Sequence, residues 1–373
     1  MTSPISLTLL VIAIAGAVYL ALAVLCLAAF ARRPPELATE FLPSMTLLKP
    51  VAGLEPELYE NLASFCNQEY DEFFEVIFCL PARDDPALAI VERIVADFPS
   101  CRTAVMIGQA TGMLNPKIAN LAKPGVELCG EIVVISDSDI RVGCDYLRAL
   151  AASFASERVG AVTCLYSGMP SDSVVARLGA MQIEDGFAPS VLVALALGKL
   201  RFCLGATMAV RRRVLEAIGG LAALGQHIAD DHRLGELVTE GGYEIELSRY
   251  AVATGVFETN LTSLWRHELR WARTNLTLAP LGYIFSFLMY ALPFALLYLA
   301  VSRNLTWGLP LLAIVAGLRL AVHYSARSAL RATHPEDAWL IPVRDFLSLA
   351  VWSASLFGRT IYWRDRTYNT KSM

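Results

Sequence analysis

Asp137 and Asp139, one residue apart, follow directly on the apolar run Glu131–Ser136, which reads as a buried strand. At a strand tip such a pair suits a hard divalent cation, Mg²⁺ or Mn²⁺, and through it a diphosphate, because these ions prefer oxygen ligands and bridge phosphate oxygens. Taken alone, Asp-Ser-Asp is also ordinary turn chemistry, since aspartate is favoured at turns and caps. The rest of the chain favours the chemical reading, through Lys49-Pro50, Asp84-Asp85, Asn115-Pro116-Lys117, Asp230-Asp231 and Arg270-Trp271.

For these groups to meet, the chain must build a sheet whose strand ends face one way. Short apolar runs predict strands at Met45–Leu48, Glu75–Leu80, Ala104–Gly108, Glu131–Ser136 and Val159–Tyr166. Helical patterns lie between them at Glu57–Asn67, Pro86–Phe98, Asn115–Cys129 and Asp145–Glu157, with Pro86 and Pro116 suited to a first turn. Alternating strands and helices predict an α/β domain with a parallel sheet, which binds ligands beyond the carboxyl ends of its strands. Lys49-Pro50, Asp84-Asp85 and Asp137-Ser138-Asp139 all fall there. No G-x-G-x-x-G or Walker-type sequence is present, so the fingerprints of a dinucleotide fold and of a P-loop ATPase are missing.

Two later clusters carry charge. Asp230 and Asp231 open a helix that ends at Gly241-Gly242, where first-turn carboxylates also serve simply to stabilise the helix N-terminus. On the next helical stretch Arg266, Arg270 and Arg273 form one basic stripe beside Trp265 and Trp271. Such a stripe meets anionic lipid headgroups, or closes, with tryptophan, over a diphosphate leaving group.

The composition is that of a membrane enzyme: 55% of the 373 residues are hydrophobic and 18% charged, with a mean hydropathy of +0.48. Ile5–Phe30 is uncharged, long enough to span a bilayer, and followed by Arg32-Arg33, which predicts an uncleaved anchor (residues 1–31) with the next domain on the cytoplasmic side. Residues 32–279 read as that domain, and 280–373 as a C-terminal membrane region. The latter holds the runs Pro280–Ser302 and Leu305–Leu318, the second extending toward His323. Trp339–Gly358 is a poorer span because Pro342, Arg344 and Asp345 interrupt it. A full count of spans would place the tail outside, whereas Arg359, Arg364, Arg366 and Lys371 favour the inside, and we follow the charges. Ser173–Gly198 is apolar enough to lie in the interface as a lipid entrance, or to be an ordinary buried helix. The eight cysteines lack C-x-x-C spacing and read as reduced thiols, with Cys79, Cys164 and Cys203 buried. A net charge of −4 without long basic tracts gives no reason to expect nucleic acid.

The order Lys49-Pro50, Asp84-Asp85-Pro86, Asn115-Pro116-Lys117, Asp137-Ser138-Asp139, Gly205-Ala206-Thr207, Asp230-Asp231 and Arg270-Trp271 resembles family 2 and 21 glycosyltransferases. Within them it is most similar to ceramide glucosyltransferases and bacterial hopanoid glycosyltransferases, from about Thr46 to Trp271. The resemblance implies a GT-A type fold, a Rossmann-like nucleotide-sugar domain, with N-terminal and C-terminal transmembrane helices in a bacterial inner membrane. It also implies inverting transfer from a UDP-sugar to a lipid hydroxyl. Under it Asp231 is the catalytic base, and Lys49, Asp85, Lys117, Asp137, Arg270 and Trp271 bind the nucleotide-sugar. Asp85 meets the uridine, and Asp137 and Asp139 hold the divalent metal. Two positions depart from the pattern: His267 replaces a glutamine or arginine, and Ala188-Pro189 replaces the His-Pro of ceramide glucosyltransferases. The second points to a hopanoid polyol acceptor with UDP-N-acetylglucosamine as donor, ahead of ceramide with UDP-glucose.

Two other classes fit less well. A Mg-dependent membrane phosphohydrolase places its nucleophilic aspartate after the first strand, where this chain has Lys49-Pro50. A transporter or scaffold is expected to carry charge in several spans, whereas only Arg319, Arg344 and Asp345 qualify here.

Overall fold

Met45–Pro50 and Ile132–Ile135 expose no residue to solvent, so both faces of these strands must be covered, as the centre of a parallel sheet requires. The computed structural model describes residues 3–32, 40–123, 125–358, 360–363 and 366–369. The main sheet comprises β1 (Met45–Pro50), β2 (Phe74–Leu80), β3 (Arg102–Ile107), β4 (Ile132–Ile135), β5 (Ile140–Arg141), β6 (Val159–Pro170), β7 (Met208–Arg211) and β8 (Glu244–Val256), in the order β3-β2-β1-β4-β7-β6-β8-β5. β1 pairs in parallel with β2 and β4, and β2 with β3; Leu48 lies opposite both Ile77 and Ile135. The carboxyl ends of β1 and β4 therefore lie side by side, and Ser136 N–H donates to the Leu48 carbonyl across them.

The sheet is mixed, which corrects the all-parallel expectation. β7 is wedged between β4 and β6 and is antiparallel to both. Its four residues are too few to show a pattern of their own, so this strand is invisible until the sheet forms. β8 is the opposite case, since its burial alternates along much of its length, yet its role depends on pairing antiparallel with β5. The helix Pro116–Leu121 is shorter than the expected Asn115–Cys129. Pro124 has no amide hydrogen to continue a ladder, and Gly125 takes a φ of +87°.

The described chain forms two compact units, one of residues 33–166 and 198–255, the other of 1–32, 167–197 and 256–373. Residues 167–197 and 256–279 group with the apolar helices. The first unit has a core that includes Leu47, Phe65, Phe78, Val134, Tyr146 and Val162. The second contains three helices long and apolar enough to cross a membrane, Pro4–Ala31, Val174–Leu197 and Leu305–Leu330. Val174–Leu197 packs its Ala188–Leu197 portion against Pro4–Ala31, which favours the buried-helix reading of that segment. The run Pro280–Ser302 is bent by 58° at Tyr290. Pro293 cannot donate to the Met289 carbonyl four residues back, so the ladder breaks there. Ile341–Ser355 has 15 residues, too few to span about 30 Å of hydrocarbon. Arg33, Arg359, Arg364 and Lys371, on which the orientation argument partly rests, lie outside the described residues.

One close approach in the first unit fixes a helix that the site needs. A Cβ on Gly235, within the helix Asp230–Glu240, would lie 2.3 Å from Phe202 Cα and 2.6 Å from the Arg201 carbonyl oxygen. Backbone cannot yield as a side chain can. Alanine is the better helix former, yet Gly235→Ala should destabilise the protein by about 1–3 kcal/mol through overpacking. A lower thermal midpoint of the purified chain checks this, and an unchanged or higher midpoint would show that the helix is free to shift.

Candidate active site

At the adjacent ends of β1 and β4 the chain buries a cation under a turn. Lys49 has no exposed surface, and its Nζ donates to the Asp137 carbonyl at 2.5 Å while lying 3.6 Å from the centroid of the Phe65 ring. Burial pushes the Lys49 ammonium down to about 7, with Asp137, Asp139 and Glu55 acting in the opposite direction. The geometry makes Lys49 a support beneath the aspartate turn.

That turn presents Asp137 and Asp139, both partly exposed. Pairing of β5 with β8 brings Thr254 to Asp139, where its hydroxyl donates to Oδ2 at 3.1 Å, and Gly255 N–H donates to the Asp139 carbonyl. Ser138 turns away and donates to Glu55 at 2.7 Å. Burial, then the charges of Asp137 and Glu55, push Asp139 up to about 6. A bound cation would relieve this crowding. Among the described residues no three His, Cys, Asp or Glu side chains gather as a full metal cage. Mg²⁺-type sites commonly use one or two carboxylates and complete the shell with substrate phosphate and water, so the pair present fits such an ion.

A second carboxylate pair is tied to the first. Lys117 Nζ lies 2.8 Å from Asp137 Oδ1 and 3.0 Å from Asp230 Oδ2. Burial alone would lower the Lys117 ammonium, but Asp137 and Asp230 outweigh it and hold the group well above the usual lysine range. Asn115 caps its own helix by accepting from Lys117 N–H and Ile118 N–H. Its amide also donates to the His227 and Ile228 carbonyls and to Asp230 Oδ1, stitching the start of one helix to the start of the other.

Asp231 follows on the first turn of that helix. Burial and then Asp230 push its carboxyl up to about 6, against Lys117 and the His232 N–H. Gly205 faces the gap between the two segments: a Cβ there would sit 3.5 Å from Asp231 Oδ2 and 3.6 Å from Asp137 Oδ2. Tyr166, at the far end of its apolar run, feels Asp231, Asp139 and Asp137; burial first, then those charges, hold its hydroxyl neutral well above the usual range.

The structure thus brings together Lys49, Lys117, Asp137, Asp139 and Asp231. Asp85 belongs to the same unit and accepts from Gly53 N–H at 3.0 and 3.1 Å and from Ala87 N–H at 2.9 Å, so its carboxylate organises the loop after β1. Arg270 and Trp271 lie in the other unit, on the helix Leu261–Leu278. There the His267 ring lies edge-on to Trp271 with 4.4 Å between centroids, and its Nδ1 is 2.5 Å from Glu258 Oε1. Arg273 of the basic stripe is engaged with the Phe357 and Thr360 carbonyls. Sequence reasoning missed Glu55, Thr254 and the double duty of Asn115, and saw Asp230 only as the neighbour of Asp231 at a helix start, not as a partner of Lys117. Asn115 carried a signal as a cap residue immediately before proline.

The profile described as Glycosyl transferase family 21 matches residues 8–372. Ceramide glucosyltransferase 3 of Caenorhabditis elegans is 23% identical over 337 residues, covering 88% of this chain and 73% of the relative. Ceramide glucosyltransferase 1 of the same organism is 24% identical over 241 residues, 64% of this chain, and this chain spans about half of its length (51%). Among solved structures, the mannosyltransferase PcManGT from Pyrobaculum calidifontis, in complex with GDP-Man and Mn²⁺, aligns with a TM-score of 0.57 at 19% identity, covering 96% of this chain and 99% of that one. That likeness shows a shared fold.

Asn115→Asp separates capping from cross-linking. It keeps both accepted N–H bonds but replaces the amide donors with a carboxylate facing Asp230. Loss of the donors and like-charge contact should lower stability by about 2–3 kcal/mol. Unfolding midpoints of wild type and variant measure it, and equal midpoints would show that the cross-link contributes nothing.

Proposed function

The chain belongs to glycosyl transferase family 21, and on that premise we propose that it moves a sugar from a UDP-sugar to a hydroxyl of a membrane lipid. The observation that carries this is the placing of two carboxylate pairs, Asp137 with Asp139 and Asp230 with Asp231, around Lys117 and Gly205. One pair is suited to the diphosphate end of a donor and the other to the acceptor hydroxyl. Asp137 and Asp139 would hold Mg²⁺ or Mn²⁺, which supplies charge compensation for the departing diphosphate. Asp231 takes the proton of the acceptor hydroxyl as that oxygen attacks the anomeric carbon, the diphosphate leaves on the opposite face, and configuration inverts. A carboxyl titrating near 6 is a stronger base than an ordinary aspartate, yet is still ionised at neutral pH. Lys117 fixes the distance between the two pairs, and Lys49 holds the turn from below. Asp85 orders the loop at which the nucleoside docks.

For the finer identity we propose UDP-N-acetylglucosamine as donor and a hopanoid polyol as acceptor. Ala188, fully buried, supplies no polar group where ceramide glucosyltransferases carry histidine. Ceramide with UDP-glucose is the second reading, favoured by the names of the similar C. elegans proteins. We propose that the protein sits in a bacterial inner membrane with the catalytic domain cytoplasmic, on the strength of Arg32 and Arg33 beside the first apolar helix.

Asp231→Asn should lower kcat by about 10²- to 10⁴-fold, the usual reach of general base catalysis, while UDP binding stays within a few-fold. Near-normal turnover would remove Asp231 from the mechanism. The base must be ionised, so log kcat/KM should rise with pH up to about 6 and level off above it. A profile flat from pH 5 to 8 contradicts the assignment. Chelation by EDTA should abolish transfer, with recovery on adding Mn²⁺ or Mg²⁺, and full activity in EDTA would sink the metal proposal. Offering ceramide and bacteriohopanetetrol with each donor, and weighing the product by mass spectrometry, decides the substrates.

A further inference from the structure

The second unit buries more charge than an apolar helical assembly tolerates without reason. Arg319 makes a bidentate pair with Asp345, at 2.8–3.0 Å, and lies 3.5 Å from Asp185. Arg344 grips Glu268 with both Nη atoms at 2.6 and 2.7 Å, and donates from Nε to Ser348. Arg319, Asp345, Asp185, Arg344 and Ser348 close around a small cavity, about the size of one water molecule, whose wall also includes Gln182, Gly186 and Tyr290, while Glu268 lies outside its lining. Each arginine at the cavity is matched by carboxylate, so the site has no excess positive charge with which to hold an anion.

One donor there is unfinished. Arg319 is 3% exposed, and its Nη1 has no hydrogen-bond partner among the described residues. A buried N–H left unpaired is costly, and a neutral oxygen in the cavity would satisfy it. Gln182–Phe187 is a π-helical turn, a distortion that often marks function, and it presents Gln182, Asp185 and Gly186 to the cavity. Gly186 matters because a Cβ there would come within 3.0 Å of Gln182 Nε2 and 3.2 Å of its Cδ and Oε1, forcing the amide out of position. Gln182 is held by Ser348, whose hydroxyl donates to Oε1 at 3.0 Å.

We propose that this cavity is a seat for one uncharged hydroxyl of a membrane lipid alcohol, received by Arg319 and Gln182 among charges that cancel. The proposal rests on the lipid-acceptor reading above and adds where the lipid is recognised. A hydroxyl fits because it is uncharged and its oxygen accepts, matching an unpaired guanidinium N–H among charges that are already paired. An anionic headgroup would meet Asp185 and Asp345.

Gly186→Ala and Gln182→Leu, made in the full chain and reconstituted in nanodiscs, test this with radiolabelled ceramide and radiolabelled bacteriohopanetetrol as probes. Binding is measured without donor, and UDP binding and the thermal midpoint are measured in parallel. Each variant should bind the preferred lipid about five- to ten-fold more weakly, the value of one lost hydrogen bond. UDP affinity should stay within about two-fold in both. Unchanged lipid binding in whichever variant keeps its midpoint overturns the proposal and marks the cavity as the seat of a structural water. Lipid binding that weakens as expected in a chain that transfers no sugar overturns the transfer reading instead and leaves this one standing.

Discussion

Lys117 is the group on which the site depends, because among the described residues it alone lies within ion-pair distance of both Asp137 and Asp230. Without a cation between them, the turn after β4 and the first turn of the helix Asp230–Glu240 would present like charges to one another. The ammonium is almost fully buried, so its attraction is only weakly screened, and removing it would leave two carboxylates uncompensated, which is the costly case for buried ion pairs. Asn115 adds direction to that attraction by bonding to Asp230 and to the two carbonyls just before the helix. The cation sets the separation, and the amide sets the orientation.

A crowded set of carboxylates has a chemical consequence. Asp139 and Asp231 are both pushed up to about 6, chiefly by burial and then by neighbouring negative charge. Under the function we propose, that penalty would favour a cation at Asp139 and strengthen Asp231 as a base. The two carboxyl groups share the kind of shift but not their neighbours: Asp139 is beside Asp137 and Glu55, and Asp231 is beside Asp230 and Lys117. Lys49 supports the turn that carries Asp139 from beneath, lowered by burial to about 7 and bonded to the backbone of that turn.

The second unit solves a related problem with a different solvent in view. Arg319, Arg344, Asp185, Asp345 and Glu268 are each under one-tenth exposed, and isolated charge in an apolar assembly is expensive. The pairs Arg319–Asp345 and Arg344–Glu268 use the planar guanidinium fork against carboxylate, an arrangement that defines angle as well as distance. They fix Leu305–Leu330 against Ile341–Ser355, and Ile341–Ser355 against Leu261–Leu278. His323 joins through Asp185, and Arg327 and His334 face Glu184.

Much of this was legible from composition and period. Strands covered on both faces are mostly apolar, so β1, β2 and β4 announced themselves despite Thr46, Lys49 and Glu75, and the polar residues near their carboxyl ends had to lie on one edge of the sheet. Long uncharged runs likewise declared the apolar helices. Residue order and type also identified Asp137, Asp139 and Asp231 as the groups worth watching. What tertiary structure decided was every partnership between segments far apart in the chain. No local pattern says that Lys117 will divide itself between Asp137 and Asp230, 93 residues apart in number. Nor does one say that Thr254 will meet Asp139 through β5 and β8, or that Arg344 will find Glu268. The physical reason is that periodicity reports which face of an element is buried, whereas an ion pair depends on where two buried faces meet, and that is settled only when the whole chain packs.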